Sequence, residues 1–136
     1  MQIKGTFEVK MTAEPPYSDV DGVSLGRAAF DKTFRGELEA TSHVDMIGAR
    51  NTAQPTSAGY VAIERITGTL SGRTGTFVMQ HNGIMNRGTP SLDCTVVPDS
   101  GTGELAGLSG RMTIDIIDKQ HHYTFDYLLS SATVTP

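Results

Sequence analysis

The feature that most constrains this chain is alternation. Phe7, Val9 and Met11 interleave with Thr6, Glu8 and Lys10, and the same two-residue period runs through residues 58–69, 74–84, 92–97, 111–117 and 122–128. Successive side chains of a strand point to opposite faces, so such a pattern describes half-buried strands. Val, Ile, Thr, Phe and Tyr fill these runs, the residues that suit a pleated surface. Between them lie Ser71-Gly72, Asn86-Arg87-Gly88, residues 98–103 and Asp118-Lys119-Gln120, all turn chemistry. Residues 13–22, with Pro15-Pro16, and 51–57, with Pro55, read as irregular. The one helical candidate is short, around Glu104-Leu105-Ala106-Gly107. Leu70-Ser71-Gly72-Arg73 recurs as Leu108-Ser109-Gly110-Arg111, which reads as reused turn chemistry. No linker divides the 136 residues, so the chain reads as a single domain, 1–136.

About eight antiparallel strands with little helix leave a sandwich or a closed barrel. Closure removes exposed sheet edges, and eight strands enclose room for side chains or one small ligand. The expectation is therefore an all-β, single closed antiparallel eight-stranded β-barrel.

Loop length then assigns faces, because a one-residue slip would invert them. A two-residue turn at Ser71-Gly72 sets Glu64 opposite Met79, Ile66 opposite Phe77 and Ala62 opposite His81. Tyr60, Ala62, Glu64, Ile66, Phe77, Met79 and His81 then share the inner face. A two-residue turn at Lys119-Gln120 sets Ile116 opposite Tyr123, Ile114 opposite Phe125 and Met112 opposite Tyr127. Leu92, Cys94 and Val96 form the matching inner face of the preceding strand. A three-residue turn near Gly36 puts Phe30, Phe34, Leu38, Ala40, Val44 and Met46 inside, with Lys32 and Ser42 as polar intruders. Phe7 completes the expected core. Arg35, Glu37, Glu39, His43 and Asp45 face water. Val61, Ile63 and Val78 remain on the outer face, an apolar patch that suggests a homo-oligomer, most simply a dimer.

Charge narrows the function classes. Eleven Lys and Arg against fifteen Asp and Glu give a net charge of −4 and a pI near 5.4. That balance argues against nucleic-acid binding, which needs a basic footprint. No run approaches a membrane span, and no apolar leader is visible near Met1. A lone cysteine, Cys94, fits a reducing compartment, so the expected location is cytoplasmic.

Several motifs are weak. Gly101-Thr102-Gly103-Glu104-Leu105-Ala106 matches a loose dinucleotide fingerprint, but Pro98 precedes it and no βαβ unit surrounds it. It reads instead as a glycine-shaped crossover. No nucleophile elbow is present. Cys94 on an apolar strand reads as a small hydrophobe more readily than as a nucleophile. His43-Val44-Asp45 and His121-His122 lack a recognised ligand spacing, so neither a metal nor a cofactor is expected.

Glu64 and His81 stand out. A carboxylate on an apolar inner face costs several kcal/mol to keep charged unless it is paired. Burial and a neighbouring imidazole shift its pKa in opposite directions. The pair is a candidate acid/base set; its structural alternative is a buried network with Lys32 or Tyr60.

Longer segments carry a resemblance. These are residues 59–81, with Ile63-Glu64-Arg65-Ile66-Thr67-Gly68-Thr69-Leu70 and Gly75-Thr76-Phe77-Val78-Met79-Gln80-His81, and Thr95-Val96-Val97-Pro98 followed by Gly101 to Leu108. Gly5-Thr6-Phe7-Glu8-Val9-Lys10 and Lys32-Thr33-Phe34 add to them. Together they resemble a bacterial family of small proteins of unknown function with an allene oxide cyclase-like barrel. The Gly-Thr-Gly-Glu-Leu segment is also similar to the glycine-rich turn of plant allene oxide cyclases and dirigent proteins. The resemblance implies an eight-stranded antiparallel β-barrel of calycin-like form, commonly oligomeric, with a cavity at one end. It implies no settled activity, and no cyclase motif maps onto this chain.

Two functions follow as expectations. One is a pocket for a small apolar molecule at a barrel mouth, lined by Tyr60, Met79, Tyr123, Lys32 and Cys94. Glu64 or His81 would serve there as base for isomerisation, cyclisation or elimination. The other is a non-enzymatic binding or structural barrel whose inner polar groups serve only the fold.

Overall fold

The protein was analysed as a computed structural model, which describes residues 1–130. Nine strands follow in order: β1 (Gln2–Ala13), β2 (Ser18–Val20), β3 (Val23–Gly36), β4 (Leu38–Asn51), β5 (Ala58–Leu70), β6 (Arg73–Asn86), β7 (Thr89–Val96), β8 (Leu108–Ile117) and β9 (Gln120–Leu129). β1 pairs with both β9 and β3, which closes eight antiparallel strands into a barrel. Short β2 adds only to the end of β3, within the segment expected to be irregular. The sole helical element is one 3₁₀ turn, Gly103–Leu105, beside the short helix expected from sequence.

The β5–β6 register is the one the two-residue turn requires: Leu70 faces Arg73, Glu64 faces Met79 and Ala62 faces His81. Ser71 and Gly72 both take positive φ, as the right-handed twist of a tight hairpin demands. β3 and β4 pair Phe34 with Ala40 and Lys32 with Ser42, so the odd-length turn at Gly36 holds. The last hairpin differs from expectation. Ile114 faces Tyr123, Met112 faces Phe125 and Gly110 faces Tyr127, because the turn is Asp118-Lys119. The slip is two residues, so every side chain keeps its face. The second Leu-Ser-Gly-Arg is also not a turn. Ser109 and Gly110 lie within β8, where a Cβ on Gly110 would meet the Asp126 carbonyl and the Phe125 ring.

One end of the barrel is plugged. Leu38, Leu70, Leu105 and Leu108 are buried there over Ile66, Phe77, Phe125 and Tyr127, with Phe77 stacked on Phe125 at 5.9 Å. Ile114, placed in the core from sequence, packs at its margin. The connection after β7 makes the plug. β7 stops at Val96, and Ser100, Thr102 and Glu104 then accept the backbone N–H groups of Val78, Thr76 and Thr74 that β7 leaves free. Gly75 and Gly101 permit this close passage, since a Cβ would strike the Thr102 and Leu105 carbonyls respectively. The glycine-rich segment is thus a crossover. β7 and β8 share a single bridging pair, Thr95 with Arg111.

Candidate functional site

The inner face carries four buried polar side chains: Lys32 from β3, Ser42 from β4, Glu64 from β5 and His81 from β6. Neighbouring strands bring them together because all four have inward parity at adjacent rungs. Glu64 is the hub. Its Oε1 accepts from His81 Nε2 at 2.7 Å and from Lys32 Nζ at 3.3 Å, and its Oε2 accepts from Ser42 Oγ at 2.6 Å. The Lys32 ammonium also lies 4.7 Å from the Phe7 ring centroid and 5.7 Å from that of Phe34, within cation–π range.

Burial alone would push the Glu64 carboxyl up. The His81 hydrogen bond, the Lys32 charge and the Ser42 hydroxyl outweigh it and hold the group below the ordinary carboxylate value. Glu64 is therefore an ionised acceptor with three donors, which is a poor base. A carboxylate only accepts, so Nε2 of His81 carries a proton. In neutral imidazole the lone pair then lies on Nδ1, and Nδ1 bonds to no protein group among the described residues. No buried side-chain polar atom lacks a partner among the described residues, so Nδ1 touches solvent-accessible space.

The other residues singled out by sequence divide. Met79 and Cys94 line this layer: Cys94 Sγ lies 4.0 Å from Met79 Sδ and 3.5 Å from His81 Nε2. Burial, reinforced by the Glu64 charge, pushes the Cys94 thiol up to about 12, which opposes a thiolate nucleophile. Tyr60 sits one rung beyond Ala62 with its ring against Gly83, where a Cβ would collide with it. Its hydroxyl bonds no protein group among the described residues, and burial, then Cys94 and Glu64, raise its pKa. Tyr123 belongs elsewhere. Its hydroxyl accepts the Leu38 N–H at 3.2 Å and donates to the Arg35 carbonyl at 3.1 Å, so it ties down the plugged end. Ser42, Phe7 and Phe34 complete the layer; inward parity was their only signal in the sequence.

Beyond this layer the barrel opens. Val9, Met11, Met85 and Ile116 point inward by register, yet they are 36%, 59%, 39% and 66% exposed. Five of the six methionines, Met11, Met46, Met79, Met85 and Met112, occupy inward positions. Unbranched, polarizable side chains make an adaptable apolar lining.

The outer wall carries two concavities. One, of about 440 Å³, lies over Ile47, Val61 and Ile63 and is rimmed by Arg27 and Asp45. The other, of about 380 Å³, lies over Asp31, His43 and Arg65. Neither is lined by Glu64 or His81. His43 is exposed and held between Asp31 at 3.0 Å and Asp45 at 3.4 Å. Among the described residues no three His, Cys, Asp or Glu side chains converge as a metal site requires. No helix is long and apolar enough to cross a membrane.

Fold and inner layer together define a class: a small closed antiparallel β-barrel with a charged hydrogen-bond cluster set inside one open end. The family described as "Protein of unknown function (DUF3224)" matches residues 3–127, and the chain belongs to it. A crystal structure of a protein with unknown function from the DUF3224 family of Shewanella oneidensis MR-1 is 50% identical to this chain. It covers 96% of this chain and 98% of its own, with a TM-score of 0.89. No curated protein matches the sequence.

Proposed function

We propose that the open end of the barrel binds a small, mainly apolar molecule and that His81 takes a proton from it. The observation that carries this reading is the Nδ1 atom of His81: it has no partner among the described residues, while Glu64 holds the opposite ring nitrogen at 2.7 Å. A carboxylate that fixes a histidine tautomer and stabilises the imidazolium is an established way to prepare a general base. Glu64 thus orients and His81 acts, with the methionine-lined mouth supplying the contact area. Isomerisation, cyclisation and elimination all fit such a site, as does the likeness to allene oxide cyclase barrels.

The test uses nitrobenzisoxazole, whose elimination needs only one base: the C–H proton leaves, the N–O bond breaks and a cyanophenolate forms. Methyl resonances of Met11, Met46 and Met85 should shift on titration. Elimination above the buffer rate should disappear in His81→Gln. Absence of any methyl shift at millimolar probe overturns the reading. Shifts without turnover leave binding and remove the base.

A second reading is favoured by the partners that Lys32 and Ser42 both find in Glu64: the layer is framework, and the barrel is a non-enzymatic binder. It predicts methyl shifts with no elimination above the buffer rate.

Two further proposals concern context. Val61 and Ile63, 55% and 49% exposed, sit beside Ile47 between Arg27 and Asp45, which suits a two-fold contact with a second copy. Val78, half-buried, is partly shielded by the segment that holds Ser100. Light scattering that returns only the 14.6 kDa monomer removes the dimer. The free, buried thiol of Cys94 supports a reducing, cytoplasmic setting.

A further inference from the structure

Charge bookkeeping inside the mouth narrows the ligand further, and this step rests on the binding reading above. The titratable groups around His81 are Glu64 and Tyr60 from β5, Lys32 from β3 and Cys94 from β7, while His121 of β9 stands against Phe7 at 4.9 Å. Glu64 is ionised and Lys32 balances it at 3.3 Å. Burial keeps the Cys94 thiol and the Tyr60 phenol protonated. With neutral His81 the empty layer therefore carries no net charge.

That balance ranks the classes of ligand. A cation would add an uncompensated charge next to the Lys32 ammonium. A permanent anion must shed its water to pass the apolar rim of Met11, Met85 and Ile116, which costs it its hydration. A neutral weak acid avoids both penalties. It passes the rim uncharged, and its proton then has an acceptor in Nδ1. The bound state holds two ion pairs, Lys32 with Glu64 and imidazolium with the new anion. Glu64 stabilises the imidazolium from the Nε2 side.

We infer that the ligand is a weak carbon or oxygen acid of the phenol or enol class, bound as its anion against protonated His81. The step is a single proton transfer: the ligand O–H or C–H bond breaks, an Nδ1–H bond forms, and nothing is oxidised or reduced. Because the proton stays in the site, binding exchanges almost no proton with solvent at a pH where the free ligand is neutral.

Para-nitrophenol tests this, since its phenolate is yellow and its neutral form is not. The intact protein is titrated with the phenol at a pH where the free compound is mostly un-ionised. Methionine methyl shifts report binding, and the visible band reports ionisation. We expect bound phenol to ionise at least about tenfold more readily than free phenol, one unit of pKa. Any phenol that His81→Gln binds should stay colourless. In the unmodified protein the nitrogen resonance of His81 Nδ1 should move from the lone-pair to the N–H range as phenol saturates, a readout that needs no variant. Methyl shifts with colourless, neutral phenol overturn the weak-acid inference and leave the mouth as a binding site. Ionisation that persists in His81→Gln, or an unmoved Nδ1 resonance, overturns His81 as acceptor. No methyl shift at all overturns both this inference and the binding reading beneath it.

Discussion

Follow the inward rows toward one end of the barrel and they finish in Leu38, Leu70, Leu105 and Leu108, all at most 2% exposed. Follow the same rows the other way and they finish in Val9, Met11, Met85 and Ile116, all more than a third exposed. Wall, parity and strand pairing are shared, so neither alternation nor closure explains the difference. The connections do. At the plugged end the long segment after β7 folds back and drops Leu105 into the core. At the open end the turns at Arg87-Gly88 and Asp118-Lys119 are short. The Pro15-Pro16 segment runs along the edge of β3, where Glu14 and Tyr17 donate to the Arg27 and Leu25 carbonyls. What separates a core from a mouth in this fold is one connection that crosses an end. The polar layer lies on the border, buried enough to strengthen its charges yet bordering solvent at Nδ1.

The comparison breaks first on core packing. Phe77→Ala removes a fully buried ring from the plugged half and should cost about 3–5 kcal/mol in urea unfolding. Met11→Ala at the mouth should stay within about 0.5 kcal/mol. Equal costs would mean that both ends are packed alike.

The border layer comes next. Glu64→Gln keeps the shape but leaves Lys32 buried without a counter-charge, and should cost about 3 kcal/mol. The sign of its pH dependence is fixed. A carboxylate held below its unfolded value stabilises the fold above that value, and the gain is lost as pH falls through the folded one. The native protein should therefore lose stability on acidification below the ordinary carboxylate range, and that slope should be smaller in the variant. A variant as stable as its parent would remove Glu64 from the framework.

Two glycines sharpen the contrast on a smaller scale. A Cβ on Gly5 would meet the Arg35 carbonyl and the Tyr123 hydroxyl, which is itself bonded in place. A Cβ on Gly83 would meet only the ring of half-buried Tyr60, which can swing toward the mouth. Thermal unfolding should show about 1–3 kcal/mol lost in Gly5→Ala and clearly less in Gly83→Ala.

At neutral pH the last effect vanishes, because it is confined to alkaline solution. The unfolded thiol of Cys94 ionises near 9.0, while the folded one is pushed up to about 12. Between those values the unfolded chain releases a proton that the folded chain keeps, so stability falls with rising pH by at most about 1.4 kcal/mol per unit. Cys94→Ala, compared with its parent at each pH, should lack that component.

Much of the wall was legible because hairpin turns announce themselves. Ser71-Gly72 fixed the register that sets Glu64 beside His81, and the inward parity of Lys32 and Ser42 followed from one odd-length turn. The last hairpin was harder. Asp118 and Lys119 both adopt positive φ at 51° and 67° with no glycine to mark them, so the turn falls one residue earlier than its composition suggests. Tyr123 was legible as an inward ring. Its hydroxyl, however, points toward Leu38, eighty-five residues away in sequence, and no local pattern encodes that partner. Which end of the barrel stays open was also hidden. The deciding side chains, Ser100, Thr102 and Glu104, sit in a segment whose glycines signal only a turn.

The single rung between β7 and β8 has a consequence in time. Separating β5 from β6 means unzipping every pair from Ala58 to Leu70, whereas the ladder between β7 and β8 has the single rung of Thr95 with Arg111, joined by the exposed Arg111–Asp93 ion pair at 3.8 Å. Local opening proceeds where the fewest bonds hold, so this seam should open more readily than the β5–β6 hairpin. Cys94 lies on β7 one residue from that rung, and His81 faces it across the next strand. Amide exchange along this seam should therefore outpace exchange along β5, the strand that carries Glu64.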